Sequence, residues 1–550
     1  MTRMSPPKPP ASRAPLQSPT RREFLHQGTA LGAGLLVATL PFGAHAAMPR
    51  TTLASTRSGR LRGTIEDGVH VFRGIPYGAD TAPRRFQPAR PEVPWQGVRE
   101  ATAYGAVAPQ RGAEGPGCEN CLFLNVWTPG LRDDAKRPVL VYIHGGGYNT
   151  GSGSDPLYDG GNLCRRGDVV VVTVNHRLNA FGYLYLGRLG GPELASSGNV
   201  GQLDLVQALQ WVRQHAREFG GDPGNVTVFG QSGGGAKIAT LMAMPAAAGL
   251  FHRAWTMSGQ QVTVAGPRAA TRRALRFLGA LGLGPDDLPT LRTLPAERLL
   301  EASAAHDPSW VEDTTLYFGP VLDGTVLQRH PFWPDAPAQS AAVPMVIGNT
   351  RDETRALLGG DPANFTLCWD TLPARLEREQ YVDLPVDQVI AEYRRLHPHY
   401  TPSEVFFAAT TAGRSWRGAV EELEARARQA GADVAPTWAY QLDWASPLEP
   451  ELGAFHTLDI ALVFDNTGRA GARSGDGAGA RRLAERMSEA LLAFARSGNP
   501  NHAGIPAWPP YSLAHRETLL FDTETRLAHD PRGGERELWR RAPFVQRGTL

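Results

Sequence analysis

One ten-residue stretch constrains this chain most: Val226–Thr227–Val228–Phe229–Gly230–Gln231–Ser232–Gly233–Gly234–Gly235. Four β-formers run into a glycine-flanked serine. An Ala/Leu/Met-rich segment, Ala236 to Met244, follows with helical composition. The order is strand, sharp turn, helix, with Ser232 at the turn. Glycines two before and two after it, Gly230 and Gly234, let strand and helix pass closely. In that setting G-x-S-x-G is a nucleophile elbow, a strained turn that lifts a serine hydroxyl above the end of a sheet. The chain holds 61 Gly, so the bare motif recurs by chance and has weight only with this context and with partners elsewhere.

Further strands surround the elbow. Val69–Phe72 and the turn after it suggest an antiparallel hairpin within residues 50–100. Glu119–Trp127, Pro138–Ile143 and Asp168–Val174 are nearly continuous apolar runs, which is how strands covered on both faces read. Apolar residues recur at helical spacing between Leu203 and Phe219, and Asp222–Pro223–Gly224–Asn225 then turns the chain into the elbow strand. Arg253–Ser258 and Pro344–Gly348 add two more strands. This alternation predicts an α/β fold, a mostly parallel twisted sheet covered by helices. Residues 265–315 and 360–445 read as helix-rich insertions roofing a site. Ala470–Ala480 reads as a mobile loop before a helix at Arg481–Ser497.

The elbow needs an oxyanion site, a base and an acid. Ile143–His144–Gly145–Gly146–Gly147–Tyr148 leaves a buried strand and becomes three glycines, whose backbone amides can approach a ligand closely. A glycine loop of this HGGG form accompanies G-x-S-x-G where an oxyanion must be held. A serine hydroxyl needs an adjacent base, here a histidine later in the chain with a carboxylate between. His456 lies in a small-residue turn, Gly453–Ala454–Phe455–His456–Thr457–Leu458, before an apolar run. For the acid, Asp352 and Glu353 both follow the Pro344–Gly348 strand, and spacing does not choose between them.

The first 46 residues differ from the rest. Met1–Pro19 is Pro/Ser/Lys/Arg-rich and reads as disordered. Arg21–Arg22–Glu23–Phe24–Leu25, a weakly apolar run to Ala44 and Ala44–His45–Ala46 read as a twin-arginine signal with a cleavage site. The run is too short and too glycine-rich for a retained anchor. The expectation is a signal peptide over 1–46, a single domain over 47–550, and a periplasmic or secreted product. A net charge of +2 with no aromatic-interleaved basic stretch argues against nucleic acid, and four cysteines exclude a disulfide scaffold. No cofactor or metal is expected, and oligomeric state is not legible.

These landmarks together resemble the type-B carboxylesterase/cholinesterase family of the α/β-hydrolase fold. The resemblance runs from about Arg57 to Tyr511 and rests on Phe72–Tyr77, Glu119–Val126, the HGGG loop, Gly220–Gly234, Gly249–Ala254, Asp352–Thr354, Gly453–His456 and Gly498–Pro500. It implies Ser232 as nucleophile, His456 as base and Glu353, not Asp352, as acid. It also implies oxyanion amides from Gly146, Gly147 and Gly233, and a buried Ser258 supporting the triad. The implied activity is hydrolysis of small-molecule carboxylic esters through an acyl-enzyme. The same triad could serve amides, carbamates, lactones or polyesters, and some relatives are non-catalytic binding proteins. Two departures stand out. Gln231 occupies the position where the family usually carries Glu. Cys121 lacks its family partner, since Ala108 stands at that place, leaving Cys118 as a nearby thiol for a C-x-x-C ring.

Overall fold

The structure, a computed structural model, describes residues 50–548 except 113–116, 309–313, 381–382, 430, 432 and 547. The expected signal segment and its cleavage site lie outside the described residues. Described residues begin with an antiparallel meander of β1 (Thr51–Thr56), β2 (Gly59–Glu66) and β3 (Val69–Pro76). A short β4 (Val98–Glu100) lies beside β2. Then come β5 (Phe123–Thr128), β6 (Arg137–Ile143), β7 (Val170–Val174), β8 (Gly221–Gln231) and β9 (Arg253–Met257). β10 (His306–Asp307) and β11 (Thr314–Thr315) form a separate ribbon. The main sheet closes with β12 (Met345–Thr350), β13 (Thr437–Leu442), β14 (Glu517–Phe521) and β15 (Arg526–His529).

The spatial order is β1-β2-β3-β5-β7-β6-β8-β9-β12-β13-β14-β15. From β7 to β14 every neighbouring pair is parallel, while the two flanks are antiparallel. The period-2 geometry of strands sends alternate residues to opposite cores. Val139, Val141 and Ile143 pack on one face with Val226 and Val228, under the helices Val200–His215 and Gly233–Met242. Leu140, Tyr142, Phe229 and Trp255 pack on the other, under the helix Ala478–Ser497 through Leu483, Met487, Leu491 and Phe494. Each such aliphatic side chain, fully buried, contributes about 1.5–3 kcal/mol. Among the described residues no helix is long and apolar enough to cross a membrane.

Several expectations need correction. Residues 360–445 are helix-rich but are not an insertion throughout: β13 sits inside the sheet between β12 and β14, with all six residues buried. Asp222–Asn225 does not precede the elbow strand but bulges within it, since Gly221 pairs with Arg137 and Val226 with Val139. Glu119–Leu122 is not strand; Glu119 turns back to bind Arg85 and Cys121 is buried. The segment expected to be a mobile loop is tied down, Trp444 Nε1 donating to Ser474 O at 3.2 Å and Ser446 Oγ to Arg473 O at 2.6 Å, and its helix begins at Ala478. Cys118 is exposed and Cys121 buried, and both are free thiols, so the C-x-x-C ring is not formed here.

Candidate active site

The C-terminal ends of the adjacent parallel strands carry the residues singled out above, the usual position for a site in an α/β sheet. β6 leads into His144–Gly147, β8 into Ser232, β9 into Ser258 and β12 into Asp352 and Glu353. Ser232 adopts φ 55° and ψ −126°, a conformation costing about 1–3 kcal/mol for a residue with a Cβ. Backbone contacts hold it there: its N–H donates to Met257 O at 2.7 Å, and its carbonyl accepts from Ala236 N at 3.1 Å. The glycines permit the close passage. A Cβ on Gly234 would stand 1.9 Å from Ile143 O, and one on Gly233 would stand 2.0 Å from Gly147 O. The HGGG loop therefore lies directly against the elbow.

The Asp352–Glu353 ambiguity resolves in the geometry. Glu353, fully buried, hydrogen-bonds His456 Nδ1 through Oε2. Its Oε1 accepts from Thr350 N at 2.9 Å and Asn349 Nδ2 at 3.2 Å. Asp352 instead holds the loop that carries the histidine: its Oδ2 accepts from Ala454 N at 2.9 Å, and its own N–H donates to Ala454 O at 2.9 Å. Burial pushes the Glu353 pKa up, but the charge and hydrogen bond of His456, the neighbouring Ser258 and the Thr350 N–H outweigh it, and the net direction is down. Burial pulls His456 down, but Glu353 and the charge of Asp459 outweigh it, and the net direction is up from 6.5. The Ser258 Oγ, buried beside this pair, makes no hydrogen bond of good geometry among the described residues.

The Carboxylesterase family matches residues 50–539 of this chain. The chain belongs to the carboxylesterase family. The para-nitrobenzyl esterase of Bacillus subtilis (strain 168) is 37% identical over 499 residues, covering 88% of this chain and 98% of that protein. The phenmedipham hydrolase of Pseudarthrobacter oxydans is 34% identical over 505 residues, covering 86% and 95%. Among solved structures, a Geobacillus stearothermophilus carboxylesterase superposes with a TM-score of 0.79 at 37% identity, covering 89% of this chain and all, 100%, of that one. The fold is the α/β-hydrolase fold and the activity is carboxylic ester hydrolysis.

Two neighbours of the carboxylesterase site were passed over in the sequence. Asp459, buried and bonded to Tyr440 Oη at 2.8 Å, lies near the Glu353–His456 pair, and burial with the Glu353 charge raises its pKa to about 6. Its signal was an acid three residues after His456. Lys237, wholly buried beneath the HGGG loop, was the one cation in an apolar helical run.

Gln231 faces His456 directly, its Nε2 standing 3.3 Å from His456 Nε2. An ionised carboxylate only accepts, so His456 carries its proton on Nδ1 toward Glu353, and Nε2 holds the lone pair. The Gln231 amide donates to that lone pair, which favours the neutral ring. Gln231→Glu reverses this preference, and the acid limb of the kcat/KM–pH profile should rise by roughly one to three pH units. An unmoved limb would show that Gln231 does not sense the proton on His456.

Proposed function

We propose that this carboxylesterase cleaves its ester substrates through an acyl-enzyme formed on Ser232. The Oγ attacks the acyl carbon while its proton passes to His456 Nε2, and Glu353 steadies the resulting imidazolium. The tetrahedral oxyanion is held by the N–H groups of Gly146, Gly147 and Gly233. His456 then protonates the leaving alcohol, and a water activated by the same ring hydrolyses the acyl-enzyme. The observation carrying this reading is the Glu353–His456 hydrogen bond, made across 103 residues of sequence, with His456 Nε2 standing 3.3 Å from Nε2 of Gln231, the residue before Ser232. The amides add support: none of the Gly146, Gly147 and Gly233 N–H groups has a backbone acceptor among the described residues. Donors left free in this way are worth about 3 kcal/mol each when the oxyanion forms.

A fluorophosphonate probe tests the reading. It should label the protein stoichiometrically, and peptide mapping should place the label on Ser232. Absence of label, or label on another residue, overturns it. The domain is taken as 47–550, with residues 1–46 removed on twin-arginine export. Lysine at both Arg21 and Arg22 should leave the precursor uncleaved inside the cell, read by its size and by fractionation. Normal processing of that variant would remove the export assignment.

A further inference from the structure

Lys237 is the fifth residue of the helix Gly233–Met242 that begins at the elbow, and it is wholly buried. A lysine in such a place is expensive, because desolvation of an ammonium is offset only by a counter-charge or by well-placed acceptors. No carboxylate pairs with it among the described residues. Its rings for neighbours are uncharged: His144 and His176 stack at 4.6 Å, and burial pulls His144 down to about 3 and His176 well below its usual value. What Lys237 has instead is two carbonyls of the glycine loop. Its Nζ donates to Gly147 O at 2.7 Å and to His144 O at 3.2 Å, and it lies 5.3 Å from the centre of the Tyr148 ring.

We propose that Lys237 is a positioning residue that clamps the HGGG loop in the conformation in which its amides receive the oxyanion; this rests on the assignment of those amides above. In a planar trans peptide the C=O and N–H point in opposite directions, so an anchored carbonyl fixes its amide. The Gly146 N–H shares a peptide with Gly145 O, which faces His144 Nδ1 at 2.9 Å. The Gly147 N–H shares a peptide with Gly146 O, which accepts from Asn149 N and Thr150 N, both at 3.1 Å. Lys237 holds the two peptides on either side, through His144 O and Gly147 O. All four carbonyls from His144 to Gly147 are thereby anchored, and the loop's left-handed glycines, Gly146 at φ 81° and Gly147 at φ 59°, have no slack to relax. The clamp joins loop and elbow as one rigid unit, because Lys237 rides on the helix that starts one residue after Ser232. Burial pulls the Lys237 pKa down to about 7, and a neutral amine still carries two N–H bonds, so the clamp survives its titration.

The test is Lys237→Met, which keeps the length and apolar stem but removes the donors, alongside Lys237→Gln and the core control Ile238→Val. Active sites are first titrated with a fluorophosphonate so that rates refer to folded enzyme. Expected for Lys237→Met is a kcat about ten- to a hundredfold lower with KM within about twofold, since a displaced oxyanion donor loses transition-state binding alone. Affinity for a trifluoromethyl ketone, whose serine adduct places an oxyanion in the hole, should fall by the same factor. Lys237→Gln should fall between the two, and Ile238→Val should lower melting temperature without moving either quantity. An unchanged kcat in Lys237→Met, or failure of both lysine variants to fold, overturns the proposal. If the wild type binds the trifluoromethyl ketone no better than the plain ketone, the amide assignment fails first.

Discussion

Ser232→Ala is expected to lower kcat on p-nitrophenyl esters by about a million-fold, the scale seen when a serine nucleophile acting within a triad is removed. The remaining groups cannot substitute for it. His456 Nε2 faces Gln231 and could activate a water, but that water has no anchored position relative to the acyl carbon. Loss of positioning alone removes several orders of magnitude. The fold should be indifferent to the change. The left-handed conformation at 232 is maintained by the N–H bond to Met257 O and by Ala236 N on the Ser232 carbonyl, neither of which involves the hydroxyl. Alanine carries the same Cβ and bears the same strain, so melting temperature should match that of the wild type. Turnover above about one part in a thousand, well beyond the residual of an oxyanion site acting alone, would show that another nucleophile does the work.

The sequence showed the parts of this molecule whose chemistry is local. The elbow, the HGGG loop and the acid pair each sit at a strand end, where glycine or charge interrupts an apolar run and so stands out. Spacing alone could not separate Glu353 from Asp352, and only the family resemblance did, because their difference is one of direction: one turns toward His456, the other to the backbone of its loop. β13 was lost in a helical neighbourhood since Thr437–Leu442 follows the long helix Arg417–Ala427 and has polar Thr437 and Gln441 within a buried strand. The Asp222–Asn225 bulge was read as a turn because its residues are turn formers; only the pairing of Gly221 with Arg137 shows that the strand resumes on both sides. Lys237 was hidden by averaging, one cation within an apolar helix. Its acceptors come from a loop some ninety residues earlier, 93 for His144 and 90 for Gly147, which no periodicity connects.

Glu353→Gln carries the second large effect, and its direction follows from which oxygen does what. Thr350 N and Asn349 Nδ2 both donate to Oε1, so in the variant that position must remain the amide oxygen. The amide nitrogen then takes the place of Oε2 and faces His456 Nδ1. Two N–H groups cannot share one hydrogen bond, so the ring moves its proton to Nε2, the atom that receives the serine proton in the mechanism proposed above. Loss of the correct tautomer lowers kcat by about ten-thousand-fold in comparable triads. The pH profile should change with it. Without the Glu353 charge and hydrogen bond, burial governs His456 and the acid limb moves down from its raised position. Stability follows the same pair. Glu353 has a depressed pKa, so its contribution is present above the ordinary value of 4.5 and is lost as pH falls through the folded value. His456 has a raised pKa, so its contribution is present below 6.5 and is lost as pH rises through the folded value. The melting-temperature gap between wild type and Glu353→Gln should therefore be widest between about pH 4.5 and 6.5 and shrink on either side. Glu353→Asp, which keeps the charge at a shorter reach, should retain more activity than the glutamine variant. If Glu353→Gln and Glu353→Asp lose activity equally and without a shift in the acid limb, the carboxylate acts only as a spacer, and the proton on His456 is governed from elsewhere.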